Sequence, residues 1–157
     1  MGSAVVKALL EDANVAPENV DEVICGNVLG AGLGQNIGRT IALEAGIPET
    51  VCAHSVNMVC GSGLRTVMEA VMSIQCGFND IVVAGGVESM SGAPYLIPAN
   101  TRTGNKMGNF TVVDHMIYDA LTDARANIHM GVTAENIAKK SNITREEQAA
   151  FGTASPQ

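Results

Sequence analysis

One cysteine, Cys60, stands where a strand-like segment gives way to a helix-like segment, in the run CGSG at positions 60–63. The start of a helix offers unpaired backbone N–H groups and the positive end of the helix dipole, and both favour a thiolate over a thiol. Gly61 and Gly63 have no side chains, so a bulky thioester has room to approach the sulfur. The N–H of Cys60 itself is a candidate donor to the oxygen of a thioester under attack, half of an oxyanion hole. This position follows the logic of a nucleophile elbow, although its residues differ from G-x-S-x-G.

The remaining cysteines and two of the three histidines have a plainer interpretation. Free cysteines usually pack inside proteins. No cysteine pair has C-x-x-C spacing, and no two histidines stand four residues apart, so the sequence offers no zinc or redox motif. Packing or loop roles are therefore predicted for five residues: Cys25, Cys52, Cys76, His54 and His115.

Helix-like and strand-like periods alternate over the first 86 residues. In order they are a helix at 3–13, a strand at 23–29, a helix ending near 45 and closed by Gly46, a strand at 51–57, a helix at 61–77 and a strand at 81–86. The third helix carries an apolar stripe made of Leu64, Val67, Met68, Val71 and Ile74. The last strand is apolar throughout, which is typical of a parallel strand covered on both faces. The alternation predicts an α/β fold, mainly a parallel sheet with helices on both faces.

Composition and charge narrow the function classes. The net charge is −7 with scattered Lys and Arg, so the basic stripe of a nucleic-acid-binding protein is missing. The apolar runs are far shorter than a membrane span, and no secretory signal opens the chain. We expect a cytoplasmic protein with free thiols. Three parts are expected from the pattern: an α/β core at 1–86, a loop-rich insertion at 87–130, and helices at 131–157, the last of them opened by a capping box at 144–147, TREE.

Five ordered blocks of the sequence resemble the thiolase family, and together they cover almost the whole chain. Residues 56–63, VNMVCGSG, resemble the nucleophile motif V-N-x-x-C-G-S-G. The other blocks are GNV with GQN at 26–28 and 34–36, AGGVESMS at 84–91, KMG at 106–108, and HMG with TAEN at 129–131 and 133–136. The resemblance implies a layered thiolase-like fold and acyl transfer between coenzyme A thioesters.

The resemblance also implies roles for individual residues. Cys60 would accept the acyl group and pass it to the carbanion of acetyl-CoA or to free coenzyme A. Leu121, His129 and Met130 would line the channel for the pantetheine arm and the acyl group. By the same resemblance, the core at 1–86 lacks its first strand, and the helices at 131–157 lead into a missing C-terminal half. The insertion at 87–130 would serve the substrate pocket and, through the stretch around Gly104 to Gly108, tetramerisation. Coenzyme A thioesters enter as substrates and no cofactor is implied; the HMG block favours short, acetoacetyl-type substrates.

Other family motifs do not occur in these 157 residues. They are the V-R-T-P segment of the opening strand, the C-x-G motif of the second catalytic cysteine, the G-H-P motif of the activating histidine, and the N-E-A-F motif that positions a water. We therefore expect little or no turnover from this chain alone.

Three alternatives stay open at this level. The glycines at 30, 32, 34 and 38 lie between a strand and a helix, as in a dinucleotide-binding loop, but their spacing is not G-x-G-x-x-G. A β-ketoacyl synthase shares the implied fold and a cysteine nucleophile, although the AGGVESMS and HMG blocks favour a thiolase. A non-catalytic remnant subunit would retain Cys60 without using it.

Overall fold

The computed structural model describes residues 1–97 and 99–155. The chain forms two compact units that divide between Met116 and Ile117.

The first unit is built on three parallel strands, β1 (Glu22–Gly26), β2 (Cys52–Val56) and β3 (Val82–Gly86). Their order is β2-β1-β3, with Glu22 level with Cys52 on one side and with Val82 on the other. Parallel neighbours need crossover connections, and each of the two segments between these strands contains a helix. The carboxyl ends of all three strands therefore lie at the same edge of the sheet.

Helices cover both faces of this sheet, as the sequence predicts. They are α1 (Gly2–Asp12), α2 (Ile37–Ala45) and α3 (Ser62–Gln75). On one face α2 packs so closely that a Cβ at Gly38 would lie 2.5 Å from the carbonyl oxygen of His54. On the other face Glu69 of α3 contacts the ring of His54.

The core lies on the face of the sheet that α1 and α2 cover. Its apolar cluster contains Leu10, Val20, Val23, Ala42, Ile47, Val51 and Val83. Gly46 ends α2 in the left-handed conformation, at φ +92°, and this turn returns the chain toward β2. The predicted second helix and its closing glycine are confirmed.

Helix α3 turns a different face to the sheet from the one that its apolar stripe suggests. The stripe is exposed, with Leu64 69% exposed and Val71 46%. The buried positions are Ser62, Thr66 and Ala70, which stand four residues apart and carry small side chains. Small residues at this spacing allow the helix backbone to approach the strands closely.

Shorter elements lie outside this framework of strands and helices. The strands β4 (Tyr95–Leu96) and β5 (Val113–Asp114) pair in an antiparallel manner. Short 3-10 helices occupy Pro17–Asn19, Met90–Gly92 and Ala99–Thr103, and a π-helix runs over Met116–Leu121.

Two helices dominate the second unit, α4 (Met130–Ser141) and α5 (Arg145–Ala154). The predicted capping box at the start of α5 is present: Glu147 N–H donates to Thr144 Oγ1, and the Glu147 carboxylate accepts from Thr144 N–H at 2.8 Å. Over the described ranges, no helix is long and apolar enough to span a membrane.

Candidate active site

The residues between β2 and α3 form a tight turn that presents Cys60. Gly61 N–H donates to the carbonyl oxygen of Met58, and Ser62 N–H donates to that of Val59, each at 3.1 Å. The buried hydroxyl of Ser62 closes the turn from inside, because it accepts from Met58 N–H at 2.9 Å and donates to Val59 O at 2.6 Å. These bonds hold the backbone on both sides of Cys60.

The residue before the cysteine has an unfavourable backbone conformation. Val59 has φ +50°, in the left-handed region where a β-branched residue is an outlier. This conformation costs about 1–2 kcal/mol. Asn57 helps to hold it, since its Oδ1 accepts from Val59 N–H at 3.0 Å. Cys60 therefore follows a strained residue on a strand-to-helix turn, an arrangement comparable to that of a nucleophile elbow.

Cys60 is a free, exposed thiol, as its predicted role requires. The two glycines after it differ in what surrounds them. A Cβ at Gly63 would meet no atom within 4 Å, so the approach on that side is open. A Cβ at Gly61 would lie 2.6 Å from the methyl carbon of Met58, whose flexible side chain occupies this space. The Gly61 N–H is bonded to Met58 O within the turn, so it is not free to serve as an oxyanion donor.

Two further residues at this edge of the sheet, Asn27 and Glu88, had no role in the sequence interpretation. The Glu88 carboxylate accepts three hydrogen bonds of 2.9 Å each, from Asn27 Nδ2, Val28 N–H and Leu29 N–H. Asn27 is buried, and its Nδ2 also donates to Val87 O at 3.0 Å. Glu88 belongs to the AGGVESMS block, but its contacts with residues about 60 positions earlier could not be predicted from the sequence.

The three predicted pocket residues of the second unit come together at one hairpin. A β-bridge pairs Thr122 with His129, which places Leu121 and Met130 on either side of it in sequence. His129 is exposed and precedes α4, and its Nδ1 accepts from Gly131 N–H at 3.0 Å. In the neutral ring this bond assigns the proton to Nε2, which is then a donor. Thus Leu121, His129 and Met130 share the hairpin, while Cys60, Gly61 and Gly63 share the turn of the first unit.

The carboxylate of Asp123 stabilises the hairpin turn. Its Oδ1 accepts from Arg125 N–H at 3.0 Å and from Ala126 N–H at 2.5 Å. The Ala126 bond, followed by the Arg125 bond, lowers the pKa of Asp123 below its ordinary value. The hairpin that carries His129 is therefore stabilised by an ionised carboxylate.

The packing role predicted for the other cysteines holds only for Cys25. Cys25 is buried in β1, and desolvation raises the pKa of its thiol. Cys52 and Cys76 are exposed, so the prediction was wrong for them. Both stand at the end of an element: Cys52 is the first residue of β2, and Cys76 follows the last residue of α3.

Two histidines outside the site are part of the framework. His54 lies on the sheet face under α3, with its ring nitrogens 3.4 Å from carboxylate oxygens of Glu22 and Glu69. His115, expected to be a polar loop residue, is only 6% exposed, and its Nε2 accepts from Ala31 N–H at 3.4 Å.

The structure is that of an α/β protein with a parallel sheet and an exposed cysteine on a strained strand-to-helix turn. The profile of the thiolase N-terminal domain matches residues 1–157. The chain therefore belongs to the thiolase family.

Curated relatives agree with this assignment. An acetyl-CoA acetyltransferase of Allochromatium vinosum is 52% identical over 157 residues, and one of Chromobacterium violaceum is 53% identical. A probable acetyl-CoA acyltransferase of Staphylococcus aureus (strain COL) is 49% identical. Each match covers 100% of this chain and 40% of the relative, so the chain spans two fifths of their length.

A solved structure shows the same fold. The Acat5 thiolase from Ascaris suum, in complex with coenzyme A, superimposes with a TM-score of 0.91 and 36% identity. The superposition covers 98% of this chain and 40% of the Ascaris chain. The predicted thiolase-like α/β fold is confirmed.

Proposed function

We propose that this polypeptide acts as a thiolase-type acyltransferase and that Cys60 is the acyl acceptor. The observation that carries the proposal is the exposed Cys60 sulfur on a strained turn at the start of α3, with open space beside Gly63. The Cys60 thiolate attacks the carbonyl carbon of an acyl-CoA, and the tetrahedral intermediate expels coenzyme A as its thiolate, which takes up a proton. The product is an acyl thioester on Cys60.

The second step moves the acyl group onward. In condensation the carbanion of acetyl-CoA attacks the Cys60 thioester. In thiolysis the Cys60 thiolate first attacks the 3-keto carbon of a 3-ketoacyl-CoA, the bond between C2 and C3 breaks, and acetyl-CoA leaves as its carbanion, which takes up a proton; the thiolate of free coenzyme A then attacks the Cys60 thioester. Either attack on the thioester forms a bond to the acyl carbon, breaks its bond to Cys60 and returns the thiolate. The Cys60 N–H is the proposed donor to the oxyanion in both steps. We propose short acyl chains as substrates.

The hairpin of the second unit is proposed to bind coenzyme A. Leu121 and Met130 are partly buried apolar residues that suit the acyl group and the apolar part of the pantetheine arm. His129 adds a polar contact, because its Nε2 is the free donor of the neutral ring. The crystal structure of the Ascaris thiolase with coenzyme A supports this assignment by analogy of fold.

By the family resemblance, the carbanion step needs a second cysteine and an activating histidine. The motifs that carry them do not occur in these 157 residues. We therefore propose that these 157 residues contribute the nucleophile, and that full turnover depends on those groups. A cytoplasmic homotetramer assembled through the loop around Gly104 to Gly108 is also proposed. Light scattering of the purified protein measures its oligomeric state, and a monomer would exclude the tetramer.

The test is covalent labelling of the polypeptide expressed from its complete reading frame. Incubation with [14C]acetyl-CoA, followed by peptide mapping, should place one acetyl group on Cys60. Cys60→Ala should abolish the label, while Cys76→Ala, which removes another exposed thiol, should leave it unchanged. A folded protein that takes no label, or that keeps it in Cys60→Ala, contradicts the proposed role of Cys60.

A further inference from the structure

The pair Asn27 and Glu88 ties the carboxyl ends of all three parallel strands together. Asn27 directly follows β1, and its backbone N–H donates to Val56 O, at the end of β2, at 3.0 Å. Its side chain donates to Val87 O, just after β3, and to Glu88. Val87 N–H returns a bond of 3.0 Å to Gly26 O. Asn27 therefore contacts the ends of both neighbouring strands, β2 through its backbone N–H and β3 through its side chain.

The same strand ends hold both ends of the Cys60 turn. The turn leaves β2 at Val56, which Asn27 bonds. The turn enters α3 at Ser62, and there Gly26 lies so close that a Cβ on it would be 2.8 Å from the Ser62 carbonyl carbon. Any shift of residues 26–27 is therefore transmitted to both sides of Cys60.

Glu88 holds Asn27 and the residues after it in place. Its two oxygens accept from three donors that are consecutive along the chain, Asn27 Nδ2 and the N–H groups of Val28 and Leu29. Because these contacts all go to residues 27–29, Glu88 acts on the framework and not on a substrate. Hydrogen bonds to an ionised carboxylate are about twice as strong as neutral ones.

We infer that Glu88 is a positioning residue for acyl transfer: through Asn27, its carboxylate sets the position of the Cys60 sulfur relative to the start of α3. The inference rests on the proposed function, since it takes Cys60 as the nucleophile. A nucleophile displaced by about 1 Å can lose about a hundredfold in rate. Glu88→Gln keeps the size of the side chain, but its amide N–H group faces a backbone N–H that needs an acceptor. We expect this mismatch to displace the Cys60 sulfur by less than that distance.

The experiment compares the polypeptide from the complete reading frame with its Glu88→Gln variant. We expect kcat for acetyl transfer to fall about tenfold, with KM for acetyl-CoA unchanged within about twofold. A purely structural role would change the amount of folded protein but neither constant per folded molecule. A rise in KM with kcat unchanged would assign Glu88 to ligand binding and overturn the inference.

A second readout needs no acyl transfer. Iodoacetamide alkylates thiolates, with a new S–C bond formed and iodide released. The rate at Cys60 is measured by mass spectrometry relative to Cys76, an exposed thiol in the same sample. We expect the Cys60 rate in Glu88→Gln to change at least threefold relative to Cys76, because displacement of the turn alters how the reagent reaches the sulfur. An unchanged ratio in a folded variant overturns the inference.

Controls separate the possible failures. Glu44→Gln removes the same charge at an exposed position of α2 and should change neither readout. Buried Cys25 stays unalkylated only while the protein is folded. If Glu88→Gln exposes Cys25, the variant Asn27→Ser is used instead, because it removes the same amide link. It should change the Cys60 rate likewise, and an unchanged rate there overturns the inference. If wild-type Cys60 accepts no acetyl group, the proposed function fails, and the alkylation ratio still decides the role of Glu88.

Discussion

At the scale of single residues, the Cys60 turn depends on two unusual neighbours. Val59 adopts a left-handed conformation that its branched side chain opposes, and Ser62 buries a hydroxyl that bonds both sides of the turn. The hydrogen bonds of Ser62 offset the conformational cost of Val59. Each contribution can be measured separately.

Replacing Val59 by asparagine should stabilise the fold. Asparagine tolerates the left-handed region, and Val59 is 47% exposed, so relief of strain outweighs the lost burial. We expect the free energy of unfolding in urea to rise by about 1 kcal/mol. Val5→Asn, the same change at an exposed helical position of α1 where no left-handed strain is relieved, should not raise it. A lower stability for Val59→Asn would show that the turn carries no strain.

Ser62→Ala should destabilise the same turn. The change leaves Met58 N–H without its acceptor in a part-buried site and removes the bond to Val59 O. An unsatisfied buried donor costs about 1–3 kcal/mol, which urea unfolding would detect. Ser91→Ala, at an exposed position, should change stability by less than about 0.5 kcal/mol. Equal effects of the two changes would contradict the structure of the turn.

At the scale of elements, α3 presents its small residues to the sheet and leaves its large apolar residues exposed. Thr66 is fully buried, and its hydroxyl donates to Gly63 O and to Gly85 O of β3. The closeness of this helix to the strands is what brings Gly26 against the start of α3 and so fixes the Cys60 turn.

Enlarging the buried face of α3 should therefore destabilise the protein. Ala70→Leu inserts a large side chain where a small one faces the sheet, and overpacking of this kind costs about 1–3 kcal/mol. Val71→Leu, one residue further on the exposed face, should change stability by less than about 0.5 kcal/mol. Thermal and urea unfolding of the two variants give the comparison. A larger effect at Val71 would reverse the assignment of the two faces.

The start of the sheet depends on a carboxylate that is sensitive to pH. Asp21 Oδ2 accepts from Asp80 N–H at 2.8 Å and from Ile81 N–H at 2.9 Å, and so joins the beginnings of β1 and β3. The bond from Ile81, followed by that from Asp80, lowers the pKa of Asp21 below its ordinary value. A pKa that is lower in the folded state adds stability above the unfolded-state pKa, about 3.9, and this stability is lost as pH falls through the folded-state pKa.

Asp21→Asn should therefore weaken the dependence of stability on pH in the acid range. Urea unfolding from about pH 5 down to about pH 2.5 should show a shallower fall in the free energy of unfolding than in the wild type. The matched control is Asp12→Asn, which changes an exposed carboxylate in α1 and should keep the wild-type slope. Equal slopes for the wild type and Asp21→Asn would remove Asp21 as a source of acid sensitivity.

At the scale of the whole molecule, the cysteines divide into one buried thiol and three exposed ones. Cys25 lies in the central strand, so its exposure requires the sheet to open. We expect pulse alkylation to modify Cys52, Cys60 and Cys76 in native buffer and Cys25 only across the main unfolding transition. Alkylation of Cys25 well before that transition would show that the sheet opens locally.

The sequence alone determined the order and type of the helices and strands in the first 86 residues, the parallel sheet and the family, and it predicted Cys60 as the nucleophile. Hydrophobic periods and closing residues such as Gly46 are local signals, and the five blocks are read directly from the order of residues. The capping box at Thr144 was found for the same reason, since its partners stand three residues apart.

Tertiary structure decided which faces are buried and which distant residues meet. It placed Cys52 and Cys76 at the surface and turned the small residues of α3, not the apolar stripe, toward the sheet. It also brought Glu88 to Asn27 across 61 positions of sequence. Burial and long-range hydrogen bonds depend on how elements pack, and the spacing of residues along one element carries no record of its neighbours.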